Sequence, residues 1–243
     1  QANCGDIDIC GFKRPQSFYR DCVWGISGKP YIAVYNPENY DKNPEISLWG
    51  WPDVVSSWTW RGSEGKPTVV DIYSRAGEVE LILNGKSYGR KPVGKENKYI
   101  ASFELEYEPG ELVAVSYNRG KEVSRSKLKT TGKPVSIRLT PDRRIISKEF
   151  GDLSYVTIEI VDEYGNRIPD ASDTLFVTVN GVGSLLAFGN SNPVSEEMYV
   201  GNKRQVYQGR AMAVVRSEGE TGEIIVNAIT DGIPAANISL VTE

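Results

Sequence analysis

The feature that most constrains the fold is a series of short alternating segments separated by turn signals. In EVELILNGKSYG, residues 78–89, Val79, Leu81 and Leu83 alternate with residues that point the other way, and Asn84-Gly85 follows at once. An Asn-Gly pair between two such runs is the preferred two-residue turn of a β-hairpin, because both residues tolerate positive φ angles. The pattern predicts antiparallel strands on both sides of this turn.

Similar segments recur from the first candidate strand, YIAVYNP, to the end of the chain. Further turn signals are Asn118-Arg119-Gly120, EPGE at 108–111 and Tyr164-Gly165-Asn166. Five or more strands precede the break at Gly132-Lys133-Pro134, and about seven follow it at the strand spacing typical of sandwiches. The fold class is therefore all-β, with two tandem immunoglobulin-like β-sandwiches at 28–131 and 132–243.

One stretch near the start predicts a helix instead, RPQSFYRDCVWG at residues 14–25. Pro15 suits the first helical position, and Gly25 suits a left-handed C-cap. Phe18, Cys22 and Val23 recur on one face at helical spacing, with Arg20 and Asp21 pointing elsewhere. We expect a single capped helix directly after the apolar run DIDICGF.

Composition excludes several classes of function. Of 243 residues, 40% are hydrophobic and 25% charged, and the net charge is −4, as in an ordinary globular protein without the basic stripe of a nucleic-acid binder. No apolar stretch approaches a membrane span, and the start lacks a signal-peptide pattern. We therefore expect either a cytoplasmic protein or an internal piece of an exported one.

Histidine and cysteine limit the chemistry further. The chain has no histidine, which removes Ser-His-Asp and Cys-His nucleophile systems and histidine-ligated metals. Cys4, Cys10 and Cys22 match no zinc spacing. Free, mostly buried thiols are the favoured interpretation, with a disulfide or a metal as the alternatives.

The tryptophans of SLWGWPDVVSSWTWRG allow two interpretations. Trp49, Trp51, Trp58 and Trp60 could stack on sugar rings and form a carbohydrate-binding site, or they could fill a structural seam as large apolar surface. Trp58 and Trp60 alternate as strand neighbours on one face, which suits either idea. The structural interpretation is favoured, and the four residues remain the candidate binding site.

Acidic pairs invite a metal or general acid/base interpretation. For Asp162 and Glu163, before Gly165-Asn166, a hairpin turn explains the residue types fully. Asp6 and Asp8 are a second such pair, and no calcium-loop spacing accompanies either. We predict no metal site.

The order of motifs resembles one known family. DICGFKRPQSFYRDCVW, residues 8–24, resembles the last strand–loop–helix of the catalytic barrel in glycoside hydrolase family 2, in β-galactosidase-like enzymes of the Bacteroides type. The segment 51–91 resembles the domain after that barrel. The segment 136–171, with LLAFGNSNP and YQGRAMAVVRS, resembles the family's last immunoglobulin-like domain. The resemblance covers essentially the whole chain.

The resemblance implies that residues 1–27 are a remnant of a (β/α)₈ barrel and that the chain is a non-catalytic C-terminal fragment of a retaining enzyme. Retaining hydrolysis uses two carboxylates about 5–5.5 Å apart, and in the family both glutamates would lie upstream of Gln1. No catalytic residue and no cofactor is therefore expected. The expected partner is the missing catalytic barrel, and an oligosaccharide and a second copy are further candidates. The longer protein would be periplasmic or extracellular.

A barrel remnant needs new packing partners. Phe12, Phe18, Tyr19 and Trp24 would normally contact barrel neighbours. The segment is expected to fold back on the first sandwich, to swap between copies, or to leave an apolar patch.

Overall fold

The computed structural model describes residues 5–42, 46 and 50–243. The chain divides into two compact units, 1–130 and 131–243, and each unit is described by itself below. The division lies next to the boundary expected from the Gly/Pro break.

The first unit is a β-sandwich with one helix. Its sheets have the strand orders β2-β1-β3-β6 and β5-β4-β7-β8, with four strands each. All neighbouring strands are antiparallel. The elements are α1 (Pro15–Trp24), β1 (Tyr31–Tyr35), β2 (Val54–Val55), β3 (Pro67–Tyr73), β4 (Glu78–Leu83), β5 (Lys86–Pro92), β6 (Ile100–Glu106), β7 (Glu111–Asn118) and β8 (Lys121–Lys129), with 3₁₀ turns at Pro37–Asn39 and Lys95–Asn97.

Alternation along the strands builds the core of this unit. Val79, Leu81 and Leu83 of β4 are all buried, as their spacing predicts, and they pack with Ile72 of β3 and Phe103 of β6. The apolar faces of the two sheets therefore meet in one hydrophobic core.

The predicted hairpin turn at Asn84-Gly85 is confirmed. Asn84 has φ 49° and Gly85 has φ 80°, as a two-residue turn with two positive φ angles requires. The Asn84 side chain also holds the neighbouring turn, because its Nδ2 donates to the Pro109 carbonyl at 3.0 Å and its Oδ1 accepts from the Glu111 N–H at 2.9 Å. Gly110 lies so close that a Cβ there would fall 1.8 Å from Asn84 Oδ1. The two turns form one hydrogen-bonded unit.

The predicted helix is confirmed at both ends. Helix α1 starts at Pro15, and Gly25 follows it with φ 74°. The N–H of Gly25 donates to Cys22 O at 3.2 Å, and that of Ile26 donates to Asp21 O at 2.8 Å, which is the paired pattern of a glycine C-cap. Asp21 is buried and is paired with Lys13 at 2.6 Å.

The run before the helix is a loop. Asp8 Oδ1 accepts the N–H groups of Cys10 and Phe12 at 3.0 and 2.9 Å, which closes a tight turn, and Ile7 and Lys13 form an isolated bridge. The apolar run at residues 6–12 is thus a loop with one isolated bridge, before the capped helix.

The second unit is a β-sandwich of a four-stranded sheet, β13-β15-β11-β9, and a five-stranded sheet, β10-β17-β16-β12-β14. The strands are antiparallel except for the short parallel pair β10–β17. Its core contains Val156, Ile158, Phe188 and Val226, all fully buried. The strands are β9 (Ser136–Pro141), β10 (Ile145–Ile146), β11 (Leu153–Val161), β12 (Thr174–Gly181), β13 (Gly183–Gly189), β14 (Lys203–Gln205), β15 (Arg210–Ser217), β16 (Gly222–Thr230) and β17 (Ile233–Thr242).

Taken together, the two units confirm the all-β sandwich class. Among the described residues, no helix has the length and apolar character needed to cross a membrane.

Candidate functional site

The candidate tryptophans lie in different environments. Trp58 is 1% exposed, donates from Nε1 to the Glu108 carbonyl at 2.9 Å, and meets Tyr107 edge to face with ring centroids 5.1 Å apart. Trp60 is half-buried against the same core, and Trp51 is half-buried elsewhere in the unit. Trp49 lies outside the described residues.

One expectation about these residues is wrong. Trp58 and Trp60 belong to an extended loop, whereas they were expected to be strand neighbours. The Trp58 indole is held in the core by its hydrogen bond and by Tyr107, so its faces do not reach solvent. Sugar binding by the set stays a prediction, and it depends on Trp51 and Trp60.

A second group of aromatic rings covers the outward face of the sheet β2-β1-β3-β6. We call it the outer aromatic cluster: Phe18, Tyr19, Tyr31, Trp51 and Tyr73. Successive side chains of a strand point to opposite faces of the sheet. Ile32 and Ile72, which are adjacent in sequence to Tyr31 and Tyr73, face the core, so the two tyrosines lie on the outward face.

Helix α1 supplies Phe18 and Tyr19 to this cluster and packs on the sheet through them. Phe18 stacks on Tyr31 with centroids 4.4 Å apart, and Tyr19 contacts Trp51 at 5.2 Å and Tyr73 at 5.4 Å. Such offset and edge-to-face pairs stabilise packing beyond the apolar area that they bury. Of the three arrangements expected for the N-terminal aromatics, Phe18 and Tyr19 therefore adopt the fold-back on the first sandwich.

Polar contacts fix the orientation of the helix. Tyr19 Oη donates to Lys98 O at 3.0 Å. The Arg75 guanidinium donates to the carbonyls of Cys22 (3.2 Å) and Val23 (2.5 Å) at the helix C-terminus, where a cation also complements the helix dipole. Arg75 lies over the ring of Tyr99 as well. The helix is thus held at its middle by rings and at its end by one arginine.

A buried carboxyl group lies on the same face of the sheet. Asp71 is 7% exposed, and its oxygens accept from Ser102 Oγ at 2.5 Å and Tyr35 Oη at 3.2 Å. Burial raises the pKa of Asp71 above its usual range, and these two hydroxyl donors offset only part of the rise. Burial also raises the pKa of Tyr35, with further contributions from the Asp71 charge and their hydrogen bond.

Cys22 is a thiol on the buried side of helix α1. It is 4% exposed, and burial raises its pKa to about 11, so it stays protonated near neutral pH. A protonated, buried thiol is a poor nucleophile. Cys10 is half-buried, and Cys4 lies outside the described residues.

The second unit buries a carboxyl group in a different way. Asp162, 1% exposed, accepts the backbone N–H groups of Gly132 and Tyr164 at 3.0 Å and of Asn166 at 2.8 Å. Burial alone would raise the pKa of Asp162, but these bonds outweigh it and lower that pKa below the usual range. The contacts agree with the turn interpretation of 162–166.

The other acidic candidates, Asp6 and Asp8, stabilise the N-terminal loop. Asp6 pairs with Arg20, and Asp8 organises its own turn. Within the part of the chain that the structure describes, no three histidine, cysteine, aspartate or glutamate side chains are grouped so that they could hold a metal ion.

The carboxyl groups of Asp71 and Asp162 are held by hydroxyl and amide groups of their own units. Sequence reasoning missed Asp71 and Arg75. One signal for Asp71 was available, since a single aspartate interrupts the otherwise apolar strand TVVDIY.

Comparison with known proteins identifies the family to which the chain is similar. Residues 137–239 match the profile described as glycoside hydrolase family 2 C-terminal domain 5, and residues 65–124 match a domain of unknown function, DUF4982. Beta-galactosidase BoGH2A of Bacteroides ovatus is 31% identical over 98% of this chain, which spans 25% of that protein. A putative beta-glucuronidase of Formosa agariphila is 26% identical over 91% of the chain and 20% of its own length.

A solved structure agrees over nearly the whole chain. A glycosyl hydrolase family 2 member from Bacteroides cellulosilyticus superposes with a TM-score of 0.92 and 38% identity, over 99% of this chain and 32% of that one. The chain thus spans a third or less of the length of each of these relatives. The 243 residues belong to glycoside hydrolase family 2, and they correspond to the C-terminal part of its Bacteroides members.

Proposed function

We propose that the chain is the non-catalytic C-terminal region of a β-galactosidase-like retaining glycoside hydrolase and that it supports the catalytic barrel. The observation that carries the proposal is the match to a β-galactosidase over 98% of this chain but only 25% of that protein. A barrel active site is assembled from loops of many strands. The chemistry would therefore be supplied by the remainder of the longer protein.

The packing of the N-terminal segment supports this role. Helix α1 is joined to the first sandwich by ring contacts through Phe18 and Tyr19 and by Arg75 at its end. If residues 1–27 are the last unit of the barrel, this docking would fix the barrel to the sandwich directly. Contacts to the rim of the sugar pocket and between copies would extend the same role.

The test is turnover of a chromogenic β-galactoside. The purified 243-residue chain is expected to give none, while the longer protein that contains it hydrolyses the substrate with retention. Hydrolysis by the chain alone would refute the non-catalytic role. A longer protein that is folded but inactive on β-galactosides and related glycosides would refute the assignment to such an enzyme.

A carbohydrate-binding module is the second candidate. Trp51 and Trp60 leave room for it, because both are only partly buried and an indole face that reaches solvent could stack on a sugar ring. Tryptophan fluorescence titrated with galactose and with plant oligosaccharides is the test. A saturable change that Trp60→Ala abolishes and Trp58→Phe retains would favour binding, and a flat titration would count against it.

A further inference from the structure

Strand β8 differs from the rest of the chain in its charge. The chain has a net charge of −4, whereas residues 121–129, KEVSRSKLK, contain four cations and one carboxylate. β8 is an edge strand of the sheet β5-β4-β7-β8. Charged side chains on an edge strand, lysine above all, prevent pairing with another sheet. The composition of β8 therefore requires no ligand by itself.

A cavity beside β8 includes a cation from another part of the chain. The cavity has a volume of about 480 Å³, within the range of small-molecule sites, and we call it the basic cavity. Its lining residues are Lys29, Glu111, Val113, Arg125, Ser126 and Lys127. Lys29 lies between α1 and β1, in a connection that is fixed against β8 because Ser124 Oγ donates to Gly28 O at 2.8 Å. Protection of a sheet edge does not explain this convergence of two segments.

The charges around the basic cavity do not cancel. Glu111 Oε2 is shared by Lys127 and Lys129, whose Nζ atoms both lie 3.3 Å from it. Arg125 forms a bidentate pair with Glu122, with both distances 2.7 Å. Within the part of the chain that the structure describes, Lys29 forms no ion pair. Four cations therefore face two carboxylates, and the excess positive charge favours an anionic ligand.

The rest of the lining indicates what kind of anion fits. Val113 supplies apolar surface and Ser126 supplies a hydroxyl group, and both residues are half-buried. A saccharide presents apolar C–H groups together with hydroxyl groups, so it can use both of these side chains in addition to the cations. An inorganic anion would use the cations alone.

We propose that the basic cavity binds an anionic saccharide, with Lys29 as the principal contact of its carboxylate or sulfate group. Arg125 and Lys127 add positive charge, and Val113 and Ser126 contact the sugar ring. Charge-assisted hydrogen bonds from such cations are the strong ones in a site of this kind. The choice of a saccharide rests on the proposed function, because a glycoside hydrolase acts among sugar chains, whereas the charges alone select only an anion.

Isothermal titration calorimetry of the 243-residue chain in 0.1 M salt tests the proposal. The probes are trigalacturonate, a sulfated galactotriose, neutral galactotriose and inorganic sulfate. We expect saturable binding of one or both charged trisaccharides, and the comparison between them distinguishes a carboxylate from a sulfate as the preferred group. Neutral galactotriose and inorganic sulfate should each bind about tenfold more weakly or worse, which corresponds to the loss of one charged hydrogen bond or of the contacts to the sugar ring.

Two charge reversals separate a site from a general charge effect. Lys29→Glu and Lys121→Glu change the net charge equally, and both positions are exposed. Lys121 lies outside the lining and four residues from Arg125, about 13 Å along the strand. This exceeds the screening length of about 10 Å in 0.1 M salt. Lys29→Glu should weaken binding of the charged trisaccharide at least about tenfold, and Lys121→Glu less than about twofold.

Equal losses in the two variants would overturn the proposal, as would the absence of saturable binding to the wild-type chain. Neutral galactotriose or inorganic sulfate binding as tightly as the charged trisaccharides would overturn it as well. Lys29→Gln, which removes the charge without reversing it, should give an intermediate loss. Turnover by the longer protein decides the proposed function, so the binding site and that function can fail independently.

Discussion

The two sandwiches differ in what lies on their outward faces. In the first unit, Tyr73 points away from the core and is still only 1% exposed, because helix α1 and Trp51 cover it. In the second unit, Tyr155 and Phe176 lie on outward faces at 43% and 38% exposure. The same alternation thus produces a second apolar layer in one sandwich and a solvated face in the other. The difference comes from the added helix rather than from the strands.

Buried aspartates extend this comparison. Asp71 lies in the middle of a sheet face and has two hydroxyl donors, while Asp162 begins a turn and has three backbone N–H donors. Burial dominates in the first case and hydrogen bonding in the second, so the two pKa values shift in opposite directions.

The largest effect is expected for Tyr73→Ala, with Tyr155→Ala as its matched control. Removing the covered ring should lower the free energy of unfolding of the first unit by about 3–5 kcal/mol. Removing the exposed ring should change that of the second unit by less than about 0.5 kcal/mol. Urea denaturation of both variants measures this, and equal losses would show that the helix layer does not stabilise the first sandwich.

Asp162→Ala is expected to come next, at about 2–3 kcal/mol, since it removes the charged acceptor of three backbone N–H groups. The lowered pKa makes this stabilisation fully present above the unfolded-state pKa near 3.9, and it is lost as the pH falls through the folded-state pKa. The difference between wild type and variant should therefore shrink in acid. Glu163→Ala, at an exposed position of the same turn, is the control; a loss as large as that of Asp162→Ala would contradict the explanation.

Asp71→Asn should have a smaller effect of opposite sign and stabilise the first unit by about 1 kcal/mol at neutral pH. The raised pKa means that folding favours the protonated acid, so wild-type stability falls as the pH rises from the unfolded-state pKa through the folded-state pKa. The variant lacks this decline. Thermal unfolding from pH 3 to pH 8 measures it, and Ser102→Ala, which removes one donor, should make the decline steeper. A destabilised Asn variant at neutral pH would mean that the carboxylate is needed in its charged form.

The smallest effect is expected for Gly25→Ala, which forces a side chain into the left-handed region at φ 74° and should cost about 1 kcal/mol. The loss should appear as faster amide exchange in α1 with no change in the β4–β7 core. Gly28→Ala, at a position with free space and no positive φ angle, is the control. Equal exchange in both variants would show that this cap does not set the stability of the helix.

The sequence predicted those features whose causes are local. The Asn84-Gly85 hairpin and the Gly25 cap follow from the φ angles that these residues tolerate, so a few adjacent letters were sufficient. The Asp71 site could not be read in the same way, because Tyr35 and Ser102 reach it through strand pairings from 36 and 31 positions away. The sequence also left undecided whether the tryptophans are buried or exposed, because the burial of Trp58 depends on Glu108 and Tyr107, about 50 positions along the chain.

The side chain of Asn84 has a consequence for engineering. Its turn is solvent-exposed, and such tips are usually where tags and inserted domains are tolerated. Here the amide also ties down the strand connection at 109–111, so an insertion between residues 84 and 85 would disturb two connections at once. Arg119-Gly120, at the β7–β8 turn, is the better position for a fused reporter.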